Sequence, residues 1–328
     1  MVTTVPFVDI QVAVPGFGAM GMSQSYGAAD DEESLKTLAK AVELGCTFWD
    51  SAAIYGSGHN ERLIGRFFKE NEGAREKVFI ASKCGIEFTA DGPTGRIDNS
   101  AQHIKSYLQA STERLGTVPD LYYIHRIEPG RDLTESIGAL DEARKAGKCR
   151  YIGLSECSAE TLRKACSIAK IDALQIEYSP WFTDPEQNGL IDTAKEFGVK
   201  VIAYSPLGKG VLTGQFTKPS DFAEGDIRKT IPRFQEKHME SNLRIVREFE
   251  VLAKKKGCTS GQMALAWVIS QGAIPIPGTR SSTRLEENFG ATDVTLDEED
   301  LKALRQLVEE AKPQGARYNE AQLKLVGR

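Results

Sequence analysis

The sequence predicts an α/β fold, a (β/α)₈ TIM barrel built as a single domain over residues 1–328, and three observations carry that expectation. Short β-rich apolar runs alternate with helix-period segments along the whole chain, with no Pro/Gly/Ser-rich linker between them, which is the pattern of repeated βα units. The runs are apolar throughout, as are strands buried on both faces of a parallel sheet. Eight of them can be counted, and eight parallel strands close a barrel.

The strands are expected at residues 12–17, 47–49, 78–81, 121–124, 151–154, 173–176, 201–203 and 273–276. Residues ahead of the first are expected to cap the barrel floor. Between the strands, Leu35, Leu38, Ala39 and Val42 form the apolar stripe of a helix over 32–44, stopped by Gly45. A second stripe, Ile104, Tyr107, Leu108 and Leu115, is opened by Asn99 or Ser100 and closed by Gly116. Further helices are expected at 133–146 before Gly147, 159–169 capped by Ser158, 189–197 before Gly198, 242–256 and 260–270. Thr259 and Gln262 fit a capping box, in which each side chain satisfies a free backbone N–H.

Composition narrows the partners. A net charge of −5, with no basic cluster interleaved with aromatics, offers no footprint for a nucleic-acid backbone. No stretch approaches the roughly 18 unbroken apolar residues of a membrane helix. The opening MVTTVPFVDIQVAVPG lacks a basic segment followed by an apolar one, so a cytoplasmic location is expected. Cys46, Cys84, Cys149, Cys157, Cys166 and Cys258 form no CxxC pair and read as reduced thiols. His59, His103, His125 and His238 share no HxH or HExxH spacing, so no metal is expected. A small-molecule partner remains, and no feature sets an oligomeric state.

Polar groups gather where the apolar runs stop: Asp50 after TFW, Lys83 after VFIAS, His125 after LYYI, Ser155 after YIGL, Glu177 after LQI and Tyr204 after VIA. In a parallel barrel those ends share one rim, where barrel enzymes keep their chemistry. An ammonium at Lys83 needs a partner there, and Asp50 on the neighbouring strand can supply it. Tyr55, five residues beyond Asp50, can fold back over the same spot. A free tyrosine has a pKa of about 10, and the adjacent ammonium is expected to lower it by stabilising the phenolate, making Tyr55 a usable general acid. His125 can hold a substrate carbonyl by its oxygen. Together the four suit carbonyl reduction.

The stretches GCTFWDSAAIYGSGHNERLIG (45–65), IASKCG (80–85), DLYYIH (120–125), YIGLSE (151–156), AYSPLGKGVLTG (203–214) and IPIPGTRSSTRLEENFGA (274–291) resemble the aldo-keto reductase superfamily nearly end to end. The resemblance implies that Asp50, Tyr55, Lys83 and His125 are the catalytic tetrad and that NADPH, oxidised to NADP+, supplies the hydride to a small-molecule carbonyl substrate. It implies that Ser155 and Gln175 hold the carboxamide, that Tyr204 stacks on the nicotinamide, and that Ser205, Pro206, Leu207 and Gly210 cover the pyrophosphate. Gly278, Thr279, Arg280, Ser282, Arg284, Glu287 and Asn288 would hold the adenosine end at a helix N-terminus. Arg280 and Arg284 favour NADPH over NADH, because guanidinium suits a phosphate monoester. Glu156 stands where many members have Asn, so a different hydrogen-bond arrangement is expected beside the carboxamide; Cys46 and Thr47 replace a common Phe-Arg.

Substrate choice is expected from rim loops carrying Phe17, Met20, Trp181 and Phe182 and from the tail over 312–328 with Arg317 and Tyr318. The pattern is most similar to the branch of pyridoxal and perakine-type reductases, which implies pyridoxal or another aromatic aldehyde as substrate. Potassium-channel β subunits share the same resemblance, so a cofactor-binding regulatory subunit is the rival reading. Gly16, Gly18 and Gly21 also spell GxGxxG. The polar MSQSYG that follows, in place of a helix, argues against a dinucleotide-binding turn and for a tight loop that brings Ala19 and Met20 to the cofactor. A short-chain dehydrogenase is excluded, since no tyrosine has a lysine four residues later.

Overall fold

An antiparallel hairpin, β1 (Thr4–Phe7) and β2 (Ile10–Ala13), opens the chain. In this computed structural model, which describes residues 2–310 and 312–328, the Phe7 ring meets Phe48, Phe79 and Tyr151 edge-on at 6.1, 5.3 and 5.1 Å. Those three residues begin barrel strands, so the hairpin plugs the barrel floor. The strand expected over 12–17 therefore divides. Val12 and Ala13 belong to the hairpin, and the barrel strand is β3 (Phe17–Gly18). Pro15 lies between them and has no N–H to donate to a ladder.

The chain continues through α1 (Asp31–Leu44), β4 (Phe48–Asp50), α2 (His59–Glu70) and β5 (Phe79–Cys84), then a rim hairpin of β6 (Ile86–Thr89) and β7 (Gly92–Ile97). Next come α3 (Ala101–Leu115), β8 (Leu121–Ile124), α4 (Leu133–Lys145), β9 (Tyr151–Ser155), α5 (Ala159–Ile168) and β10 (Ala173–Glu177). The last third holds α6 (Asp184–Gln187), α7 (Leu190–Glu196), β11 (Lys200–Tyr204), α8 (Glu236–Lys256), α9 (Ser260–Ser270), β12 (Ile274–Pro275), α10 (Ser282–Phe289), α11 (Glu298–Glu310) and α12 (Glu320–Leu323). The expected stops and caps form: Gly45 is left-handed, Ser100 rather than Asn99 caps α3, and Thr259 with Gln262 closes a capping box. No helix among the described residues is long and apolar enough to cross a membrane.

β3, β4, β5, β8, β9, β10, β11 and β12 pair in that order, all parallel. The ends meet where Gly16 N donates to Pro275 O at 2.9 Å and Gly18 N to Pro277 O at 3.2 Å. A Cβ on Gly18 would lie 2.7 Å from Ile276 O, and one on Gly16 2.8 Å from Phe48 O. These two glycines let the barrel close, which is a different job from cradling a pyrophosphate.

Within each strand the side chains alternate between the barrel interior and the helix layer. Phe48 faces in, Trp49 packs outward with α1 and α2 residues, and Asp50 faces in again. In β5, Phe79 and Ala81 line the interior, Ile80 packs outward, and the next inward position is Lys83. The same parity runs Leu121, Tyr123, His125 and Tyr151, Gly153, Ser155, and Ala173 leads to Gln175 and Glu177. The chemistry thus sits on the last inward positions of neighbouring strands.

Candidate active site

Lys83 is fully buried at the top of β5, and its ammonium has three N–H groups to satisfy. Three acceptors surround it: Asp50 Oδ1 at 2.5 Å, Ser51 O at 2.7 Å and Tyr55 Oη at 3.2 Å. Asp50 Oδ2 accepts from Gln175 Nε2 at 2.7 Å, so both carboxylate oxygens are engaged. Burial opposes the Lys83 charge, but Asp50 and Tyr55 outweigh it and hold its pKa above the ordinary value. Because Tyr55 Oη accepts from Lys83, its own O–H is left to donate toward the mouth.

The Tyr55 loop is pinned by backbone bonds. Ala53 N donates to Lys83 O at 3.0 Å, Asn60 N to Tyr55 O at 3.2 Å, and the buried Asn60 side chain ties Ser51 Oγ to Ala19 O. Behind the site Glu61, fully buried on α2, accepts from Ser82 Oγ at 2.5 Å and from Arg114 Nε at 2.6 Å, clamping α2 and α3 to β5. Nothing in the local pattern of the sequence identifies Asn60 or Glu61 as supports, since both read as an ordinary helix start.

Lys83 does pull the Tyr55 pKa down, but the expected net lowering is corrected. Burial raises it, Lys83 pulls the other way without prevailing, and the phenol stays above its ordinary 10. The group is a phenol, not a phenolate, throughout the neutral range. The His125 ring stands edge-on to Tyr55 at 5.9 Å between centroids. Burial, with Arg126 and Lys83 nearby, holds it well below 6.5, so it is a neutral imidazole with an N–H to offer.

Beyond the tetrad the rim carries a cluster of charge. Glu156, left-handed at φ 53°, accepts from Glu177 N at 2.8 Å and from Arg317 Nη2 at 2.6 Å. Glu177 accepts from Lys209 Nζ at 2.6 Å and Arg317 Nη1 at 3.2 Å. Burial works against the Glu156 carboxylate, yet Arg317 more than offsets it and keeps its pKa below the usual carboxylate range. Glu156 is thus committed to the tail, where the side chain of Arg317 also covers Phe182 at 4.5 Å and Tyr318 Oη meets Tyr204 Oη at 2.9 Å. Replacing Arg317 by Ala leaves two buried carboxylates short of a donor and is expected to destabilise the protein by about 1–3 kcal/mol, measured by urea unfolding. No loss would mean that the tail is not held this way in solution.

Several expected site residues lie elsewhere. Phe17 is fully buried and packs outward against Trp49 at 6.3 Å, because it shares the parity of Trp49 rather than of Asp50. Ala19 also packs in that outer layer and reaches the mouth only through its backbone, its N donating to Asp50 O, whereas Met20 packs on Ala52, Ile54 and Tyr55. Trp181 is buried against Phe234, beneath Gly208, and is a core residue. In the loop after β11, Ser205 is left-handed, Pro206 is buried, Leu207 turns into the helix-layer core and Gly210 has φ 92°. Arg280 donates to the carbonyls of Tyr26 and Gly27 at 3.1 and 3.3 Å and to that of Ala28, so its guanidinium braces a loop and does not stand open for a phosphate. Gly278 bridges to Gly18, Thr279 Oγ1 accepts from Ser281 N, Ser281 caps α10 ahead of Ser282, and Arg284 is exposed on its first turn. Glu287 and Asn288 sit on its last turn, Asn288 buried.

These donors fit a nicotinamide dinucleotide phosphate: hydroxyl and amide groups of Ser155 and Gln175 beside the tetrad, an inward tyrosine ring, and a capped helix start with an exposed arginine. Comparison with known proteins agrees. The pattern of the Aldo/keto reductase family matches residues 16–309. An aldo-keto reductase of Gibberella moniliformis is 53% identical over 331 residues, 100% of both chains, and aldo-keto reductase yakc [NADP(+)] of Schizosaccharomyces pombe is 42% identical, covering 92% of this chain and 90% of that one. Among solved structures, a glycerol dehydrogenase of Gluconobacter oxydans superposes with a TM-score of 0.86 at 25% identity, covering 95% and 96% of the two chains. Barrel, buried rim and whole-length relatives lead to one conclusion: the chain belongs to the aldo/keto reductase family.

Proposed function

We propose that this protein reduces an aldehyde or ketone to the alcohol, with NADPH as hydride source and Tyr55 as proton donor. The observation that carries the reading is the Lys83 ammonium with its three acceptors, Asp50, Ser51 O and Tyr55 Oη, which leaves a buried neutral phenol with a free proton at the barrel mouth. A bound reduced nicotinamide supplies the hydride to the carbonyl carbon. As the C=O electrons move onto oxygen, Tyr55 gives that oxygen its proton, His125 donates a hydrogen bond to it, and Lys83 stabilises the tyrosinate left behind. Asp50 holds Lys83 in place and Gln175 holds Asp50.

Ser155 and Gln175 serve the carboxamide, with Glu156 removed from that role by Arg317. Tyr204 is the wall for the nicotinamide, the 205–210 loop covers the pyrophosphate, and Phe182 and Tyr318, with the tail over 312–328, wall the substrate. Because Arg280 is spent on loop carbonyls, the 2′-phosphate falls to Arg284. Arg284→Ala should weaken NADPH roughly ten-fold and NADH by less than about two-fold in fluorescence titrations. Equal losses would remove the phosphate role.

The test of the reading is turnover. Purified protein with NADPH and a panel of aldehydes, including pyridoxal and benzaldehyde, should oxidise the cofactor rapidly. Pyridoxal reduced no faster than benzaldehyde at equal concentration would remove it as the substrate. NADPH bound but not oxidised with any aldehyde would instead favour the regulatory role of a potassium-channel β-type subunit.

A further inference from the structure

Most of the rim charges pair off one by one, and two guanidiniums are left without a carboxylate among the described residues: Arg233, which donates to Gly315 O and covers the Trp181 ring, and Arg126. Asp50 is matched with Lys83, and Glu156 and Glu177 are matched with Arg317 and Lys209. Arg126 has no carboxylate within ion-pair distance among the described residues. It follows His125 directly, and its Nη1 donates to His125 O at 2.8 Å and Ser155 Oγ at 3.2 Å. Those two bonds tie the guanidinium between the ends of β8 and β9, on the same rim as the tetrad. Its Nε and Nη2 groups meet no protein acceptor and are not sealed from solvent, which leaves them free for a ligand.

Glu156 is the carboxylate whose field reaches Arg126, and it is not free to turn. Its Oε1 accepts from Glu177 N and its Oε2 from Arg317. Burial opposes the Arg126 charge, and the fields of its neighbours, Glu156 among them, outweigh that, yet no carboxylate touches the guanidinium itself. Guanidinium also offers its N–H groups in a flat fork that suits a carboxylate. Nearby, Phe182 and Tyr318 supply aromatic surface, both under the Arg317 side chain.

We propose that Arg126 is the specificity-determining residue of the substrate pocket and that the preferred substrates are aromatic aldehydes bearing a carboxylate. This rests on the reductase reading above and adds the chemical class of its substrate. The carboxylate docks on the unpartnered edge of the Arg126 guanidinium, and the aldehyde oxygen then falls to Tyr55 and to His125, the residue before Arg126 in the chain. The charge acts on the binding of the substrate as a whole, so the preference appears chiefly in KM.

The experiment compares 3- and 4-carboxybenzaldehyde with their methyl esters, which keep the ring and the aldehyde and lose only the charge. At least one acid should exceed its ester in kcat/KM by roughly ten-fold or more, the difference lying in KM, and added salt should shrink the ratio. In Arg126→Met the ratio should collapse to about one, and Arg126→Lys should restore part of it. Should the Met variant fail to fold, Arg126→Gln, which keeps hydrogen-bond donors and loses the charge, takes its place, and the acid-to-ester ratio should collapse in it as well. Esters reduced as well as acids, or a ratio that survives in Arg126→Met, overturn the assignment while leaving the reductase reading intact. Arg126→Met that weakens NADPH and keeps the acid preference also overturns it, since the residue would then serve the cofactor. Turnover of neither acids nor esters overturns both.

Discussion

Tyr55→Phe is expected to lower kcat for carbonyl reduction by about 10²–10⁴-fold while NADPH affinity stays within about two-fold of wild type. The Phe ring keeps the packing against Ala52 and Ile54 and the edge-on contact with His125, so the substitution removes one oxygen and little else. Lys83 loses its weakest acceptor, at 3.2 Å, and keeps Asp50 and Ser51 O. Steady-state kinetics with NADPH titrations in parallel separate the two effects, and an unchanged kcat would remove Tyr55 as the donor. The pH profile gives a second reading. The folded-state pKa of the phenol lies above 10, so the proton is present across the neutral range and lost only as pH rises through that raised value. Reduction should therefore hold level through neutrality and fall in strong alkali. A neutral-range fall that disappears in the Phe variant would show a lowered phenol instead.

Lys83→Met is expected to cost about 3–5 kcal/mol of stability as well as most of the activity, because it leaves the Asp50 carboxylate buried without its cation. The methionine side chain fills a similar volume, so the loss reports charge more than packing. Asp50 keeps only Gln175 as a donor, and burial then drives its pKa further up. An acid whose folded pKa is raised binds its proton more tightly in the native state, so the variant should gain stability as pH falls and lose it as pH rises. Urea unfolding across a pH series checks both the size and the sign. Adding Asp50→Asn should recover part of the loss by removing the stranded charge. A single variant as stable as the wild-type protein would mean that the two groups are not paired.

Much of this site could be read in the chain because parallel strands end on one rim. Asp50, Lys83, His125, Ser155 and Tyr204 each follow an apolar run, and the run makes both the strand and the position of its last residue predictable. What failed was parity within very short segments. Phe17 and Ala19 are adjacent to the first strand end, yet a two-residue strand leaves no pattern from which to tell inward from outward. Trp181 failed for a related reason: an aromatic in a loop reads the same whether the loop lines the mouth or packs on the core beneath it.

Sequence alone determined the (β/α)₈ order, the capped helices and the placement of Asp50, Lys83 and His125 at strand ends on one rim, since these depend on local periodicity, caps and where each apolar run stops. Tertiary structure alone decided who partners whom. Glu156 with Arg317 and Glu177 with Lys209 join residues 161 and 32 positions apart, Arg280 turns back to the 26–28 loop 252–254 positions away, and Arg126 is left without an anion. The direction of the Tyr55 pKa belongs to the same class, because it depends on how deeply the folded chain buries the phenol as well as on the nearness of Lys83. Charges in a buried cluster are matched by geometry across the whole barrel, and pairing of that range leaves no trace in local sequence.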